Sequence, residues 1–65
     1  MGKTVFDVLE EKLAAAQRAS EESLTEGAAK SFDEYRHTCG VIRGLATARR
    51  EVSDLARHYR ENDDD

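Results

Sequence analysis

Between Arg36 and Arg60 the chain carries six arginines and no lysine. Four of them, Arg36, Arg43, Arg50 and Arg57, recur every seven residues. Seven residues are just under two helical turns, so on a helix these four form a single row. A guanidinium is a planar fork that can hold a carboxylate or a phosphate through two hydrogen bonds at once, which a lysine ammonium does not do. The chemistry on offer is therefore anion recognition. Local pairing competes with it, because Asp54 stands four residues after Arg50 and three before Arg57, within reach of both on a helix. Among outside partners a protein surface is favoured over nucleic acid. The chain is acidic, with a net charge of −4, and no aromatic side chains interleave with the arginine row to stack on bases.

The other reactive side chains stand apart. Cys39 lies near Arg36 and Arg43, which would favour its thiolate, but no base completes a nucleophilic pair, since His37 stands two residues back and points to another face of a helix. His58 follows Asp54 by one turn and precedes Glu61 by three residues, a spacing for a weak metal site at most. The chain ends in Asn62-Asp63-Asp64-Asp65, which suits a solubilising tail or a dock for a basic surface. There is no phosphate-binding loop, no zinc spacing and no framed pair of carboxylates. An enzyme is not expected, and neither is a cofactor, a metal or a small-molecule substrate.

Gly40 and Gly44 stand one helical turn apart, with Ala48 one turn further on. A glycine inside a helix costs up to about 1 kcal/mol relative to alanine. Two of them call for a reason. Tight packing within the protein is one, with Ala14, Ala15, Ala16 and Ala19 available to fill the groove. A groove for a foreign helix is another, and a kink is a third.

These residues must be positioned by helices. There is no proline, and Ala, Leu, Glu and Arg dominate. Thr4-x-x-Asp7 resembles a capping box, and Ser31-x-x-Glu34 is one. Gly27 is a natural helix stop. The pattern predicts an all-α chain with a helix over about 4–26 and a longer one over about 32–61. The short connection between them folds the pair into an antiparallel two-helix hairpin. Residues 1–62 then form one hairpin and 63–65 an acidic tail. Phe6, Leu9, Leu13, Ala16, Ser20 and Ser23 give the expected seam of the first helix. Val41, Leu45, Ala48, Val52, Leu55 and Tyr59 cluster as the stripe of the second, widened by Tyr35 and Ile42. The arginine row falls opposite that stripe, and the end of the second helix is expected to project past the first.

Sixty-five residues with fourteen large apolar side chains make a marginal core. Full burial of each is worth roughly 1.5–3 kcal/mol, while ordering each residue costs on the order of 1.5 kcal/mol. The hairpin is expected to be oligomeric or bound to a partner. No apolar run approaches a membrane span, so a soluble protein made in the cytoplasm is expected, with no membrane partner. The candidate protein-interaction residues are Arg36, Gly40, Arg43, Gly44, Arg50, Arg57 and Tyr59.

The string Gly27-Ala-Ala-Lys-x-Phe32-x-x-Tyr35-Arg36, then Cys39-Gly40-Val41-Ile42-Arg43-Gly44-Leu45, then a helical run ending in Asn-Asp-Asp-Asp, resembles a group of very small proteins of tailed bacteriophages, typically short-tailed ones. These are encoded among head-assembly genes, near those for the portal and the capsid. The resemblance covers about residues 27–65. It implies a minor virion protein present in several copies around a symmetric head or portal vertex, made in the host cytoplasm, with portal or capsid proteins and copies of itself as partners. It assigns no binding residues. The alternative from the arginine row and acidic tail is a small regulatory hairpin dimer that binds RNA or inhibits a host enzyme.

Overall fold

The computed structural model describes residues 3–63, with side chains through residue 60. It contains two helices, α1 (Val5–Thr25) and α2 (Phe32–Asp63), packed against one another. The Cα trace measures 53 × 20 × 12 Å, which is a rod one helix thick and two helices wide.

Each helix boundary has a local cause. Thr4 caps α1 through a reciprocal pair, its hydroxyl accepting from the Asp7 amide at 3.1 Å and its own amide donating to the Asp7 carboxylate at 3.0 Å. This neutralises two of the unpaired donors at a helix start. At the other end Gly27 takes φ +75°. Its amide donates to the Leu24 carbonyl and the Ala28 amide reaches back to Ser23, both at 3.1 Å, closing the paired reverse bonds of a Schellman stop. At the start of α2 the Ser31 hydroxyl accepts from the Glu34 amide at 3.1 Å. The Glu34 carboxylate, however, takes the Lys30 amide at 2.9 Å, so the box closes one residue earlier than its sequence form predicts.

The hairpin forms as the pattern predicts, but its seam differs. On α1 a half-buried seam runs through Phe6, Glu10, Leu13, Gln17, Ser20 and Leu24. On α2 it runs through Thr38, Ile42, Leu45, Arg49, Val52 and Ala56, and Tyr59 closes the far end against Phe6 with ring centroids 5.6 Å apart. Both follow the alternating four-three spacing of paired helices. Part of the expected seam is displaced by one residue: Glu10 and Gln17 replace the exposed Leu9 and Ala16, Leu24 joins a half-buried Ser23, and Ile42 and Ala56 replace the exposed Val41 and Leu55, while Arg49 lies beside a half-buried Ala48. The physical reason is that the apolar stripe on each helix is wider than a single neighbouring helix can cover. The hairpin covers one margin of the stripe and leaves the other outside.

None of the described residues is buried. The accessible surface is 5374 Å². A compact folded chain of 7.3 kDa exposes roughly 4,200 Å². The hairpin is therefore about 1,200 Å² short of a closed core. The Phe6–Tyr59 contact sets the start of α1 level with Tyr59, so only the last turn of α2 projects beyond α1. That turn includes Asp63, the first residue of the acidic tail. Asp64 and Asp65 lie outside the described residues, and with them the proposed docking role of the tail.

Candidate functional site

The seam carries a polar layer at its middle. Arg49 comes from α2 and lies between two polar seam residues of α1. Its Nε donates to Glu10 Oε1 at 2.7 Å and its Nη1 donates to Gln17 Oε1 at 3.0 Å. Gln17 in turn donates to Glu21 at 3.2 Å. The ion pair is partly solvated, with the two side chains 38% and 35% exposed, which limits its Coulombic worth. Its geometric worth is larger, because one guanidinium meeting two acceptors seven residues apart fixes which turns of α1 and α2 face each other. The second carboxylate oxygen, Glu10 Oε2, is itself shielded and has no hydrogen-bond partner in the structure. Glu10 is therefore held by Arg49 alone.

Arg49 is the residue that the heptad row hid. Four arginines share one position of the repeat and draw attention outward, while Arg49 stands seven residues after Ile42 and three before Val52. The legible signal was the pair Glu10 and Gln17, which break the apolar seam of α1 seven residues apart.

The outer row is exposed along its whole length. The Arg36 guanidinium stands over the Phe32 ring, 5.9 Å from its centroid. Arg57 meets Asp54 at 3.7 Å, a loose pair between two exposed side chains and worth little in stability. Of the two local pairs that the spacing allows, the Arg50–Asp54 pair does not form among the described contacts. Arg50 instead borders an open cleft along one side of the hairpin, with Asp7, Glu10, Ala46, Arg49 and Ser53. Arg43 makes no ion pair among the described residues. The row thus presents forks to solvent, three of them (Arg36, Arg43 and Arg50) without an ion pair to the hairpin's own acids among the described residues.

Gly40 and Gly44 do not pack against α1. A Cβ placed at either would meet nothing within 4 Å, so the expected filling by Ala14, Ala15, Ala16 and Ala19 is corrected. The same roll of the helices that brings Arg49 inward turns the glycines outward. In the isolated chain Gly40→Ala should therefore stabilise α2 by about 0.5–1 kcal/mol through helix propensity alone, read as a rise in thermal midpoint by circular dichroism. An unchanged or lower midpoint would show that something already occupies that surface.

Tyr59 is largely exposed but for its edge against Phe6. Cys39 is half-buried. A side-chain hydrogen bond with Cys39, and the charge that thiol can carry, hold the Tyr35 hydroxyl above the ordinary phenol value. Among the described residues no three His, Cys, Asp or Glu side chains converge on a common point. The metal-like spacing of Asp54 and His58 ran on to Glu61, whose side chain lies outside the described ones. Among the described residues no helix is long and apolar enough to cross a membrane.

Three surface features stand out: the exposed arginine row, the bare glycine edge of α2, and the partly uncovered margin of the apolar stripe. Compared with family models, curated proteins and solved structures, the chain matches none.

Proposed function

We propose that the chain is a minor structural or assembly protein of a bacteriophage particle. It is a non-catalytic hairpin held at the portal, the head–tail vertex or the capsid by helix–helix and arginine-mediated contacts. The observation that carries the interaction part is the missing core: no described side chain is buried, and the surface exceeds that of a closed fold of this mass by about 1,200 Å². Such a chain gains its stability by association. The particle as the site of association rests on the sequence pattern around Tyr35-Arg36 and Cys39–Leu45 described above.

In this setting the row of Arg36, Arg43, Arg50 and Arg57 faces acidic side chains of a neighbouring virion protein. Exposed arginine forks are suited to interface carboxylates because they are weakly hydrated and bind them through two bonds. Mass spectrometry of purified particles tests this directly. The chain should appear in a fixed ratio to the portal or capsid protein, and its absence from intact particles would sink the proposal.

A further inference from the structure

Each helix leaves one margin of its apolar stripe uncovered, and the two margins lie on the same side of the hairpin. Leu9, Ala16 and Ser23 each precede a seam residue of α1 by one. Val41, Ala48 and Leu55 do the same on α2. In an antiparallel pair, residues just before the seam on both helices share one side, and those just after it share the other. The second side is visible as the cleft bordered by Asp7, Ala46 and Ser53, each of which follows a seam residue by one. The first side is therefore an apolar face built of two columns. Ser23 and Ala48 are half-buried at the foot of the columns, but the large members are far from covered: Leu9 is 42% exposed, Val41 39% and Leu55 51%.

The columns are in step. The Phe6–Tyr59 contact and the Arg49–Gln17 bond fix the register. Leu9 stands level with Leu55, Ala16 with Ala48, and Ser23 with Val41, to about one residue. We infer that this face is closed by a second copy of the chain, giving a four-helix bundle in which α1 of each hairpin packs antiparallel on α2 of the other. A twofold axis along the rod brings Leu9 against Leu55 of the second copy and Ala16 against its Ala48. Large meets large at the end and small meets small in the middle, and Gly44 on the same side lets the backbones approach.

Charge selects this pairing and this occupant. Lys12 borders the face on α1, and its neighbours one turn away, Val8, Leu9, Ala15 and Ala16, offer no carboxylate. Glu51 borders it on α2, where Thr47, Ala48, Asp54 and Leu55 offer no cation. Neither makes an ion pair among the described contacts. The axis along the rod sets Lys12 of one copy beside Glu51 of the other, twice per dimer. An axis across the rod would pack α1 on α1 and leave both unpartnered. Area agrees as well. The rod as a whole carries about 1,200 Å² more surface than a closed fold of its mass, an excess that pairing on this face would reduce. The arginine row is left on the outside of the bundle, free for another partner.

Sedimentation equilibrium of the full chain tests the pairing without reference to any particle, so it can fail while the particle proposal stands. The wild type should sediment as a dimer. Ala48→Glu should be monomeric. Lys12→Glu and Glu51→Lys, both on the rim and harmless to a single hairpin's helicity, should each raise the dimer dissociation constant about tenfold. The combined swap should return it to the wild-type value. A monomer at every concentration, an oligomer larger than a dimer, or a swap that fails to recover would overturn the inference.

Discussion

Arg49→Ala should loosen the hairpin more than any other change of one charged side chain. The substitution removes both hydrogen bonds that join the middles of α1 and α2. It also strands the Glu10 carboxylate, whose second oxygen already lacks a partner. A lost charge-assisted bond with an unsatisfied acceptor costs about 1–3 kcal/mol. Partial solvation of the pair places the expected loss near the lower end, about 1 kcal/mol. In a fold with no buried side chain among those described, that is a large share of the total. Denaturant melts followed by circular dichroism should show the midpoint fall. Replacing Glu10 and Arg49 together by leucine should restore the midpoint or raise it, because a polar layer in a helical seam is commonly no more stabilising than an apolar one. What the double variant should lose is register, seen as broadened amide resonances or mixed association states. An Arg49→Ala protein that melts like the wild type would remove the polar layer from the account.

Arg43→Glu should have the opposite profile. Arg43 is exposed and unpaired among the described residues, so reversing its charge leaves the isolated hairpin's helicity and midpoint within about 0.5 kcal/mol of wild type. Where the row faces a virion protein as proposed, the same change sets a carboxylate against carboxylates. Incorporation should fall at least about tenfold, corresponding to roughly 1.4 kcal/mol. Arg43→Lys should fall between, because it keeps the charge and loses the fork. Quantifying the chain in particles assembled with each variant provides the comparison. Equal incorporation of all three would mean that the row is a solvated face. A salt-sensitive shift of RNA by the wild type, lost in Arg43→Glu, would transfer the row to nucleic acid.

The helices and their ends were legible in the sequence because caps are local. Thr4 with Asp7, Gly27, and Ser31 with Glu34 act within a few residues of themselves, and the observed ends fall within two residues of the expected ones. The roll of one helix on the other was not legible. Leu9 and Glu10, or Ala48 and Arg49, lie about 100° apart on the wheel, one on either side of seam positions that both rolls share, and apolarity alone favours the first of each pair. The choice was settled by a contact 39 residues apart in the chain, Arg49 to Glu10. The glycines were misplaced for the same reason, since a groove is inward or outward according to that roll. The arginine row was placed correctly, because its position opposite the stripe does not change with a small rotation. Its partner stays outside the chain's own pattern, and only its chemistry can be read from four forks in line.

Central to the proposal is a hairpin that does not carry a core of its own and gains one by association. The most direct test is the thermal midpoint of the isolated chain, followed by circular dichroism over a wide range of protein concentration. Association that stabilises the fold makes the midpoint rise with concentration and the helical signal fade on dilution. That is the predicted result. A sharp, cooperative melt whose midpoint is the same at every concentration would show a self-sufficient monomer and would contradict the account.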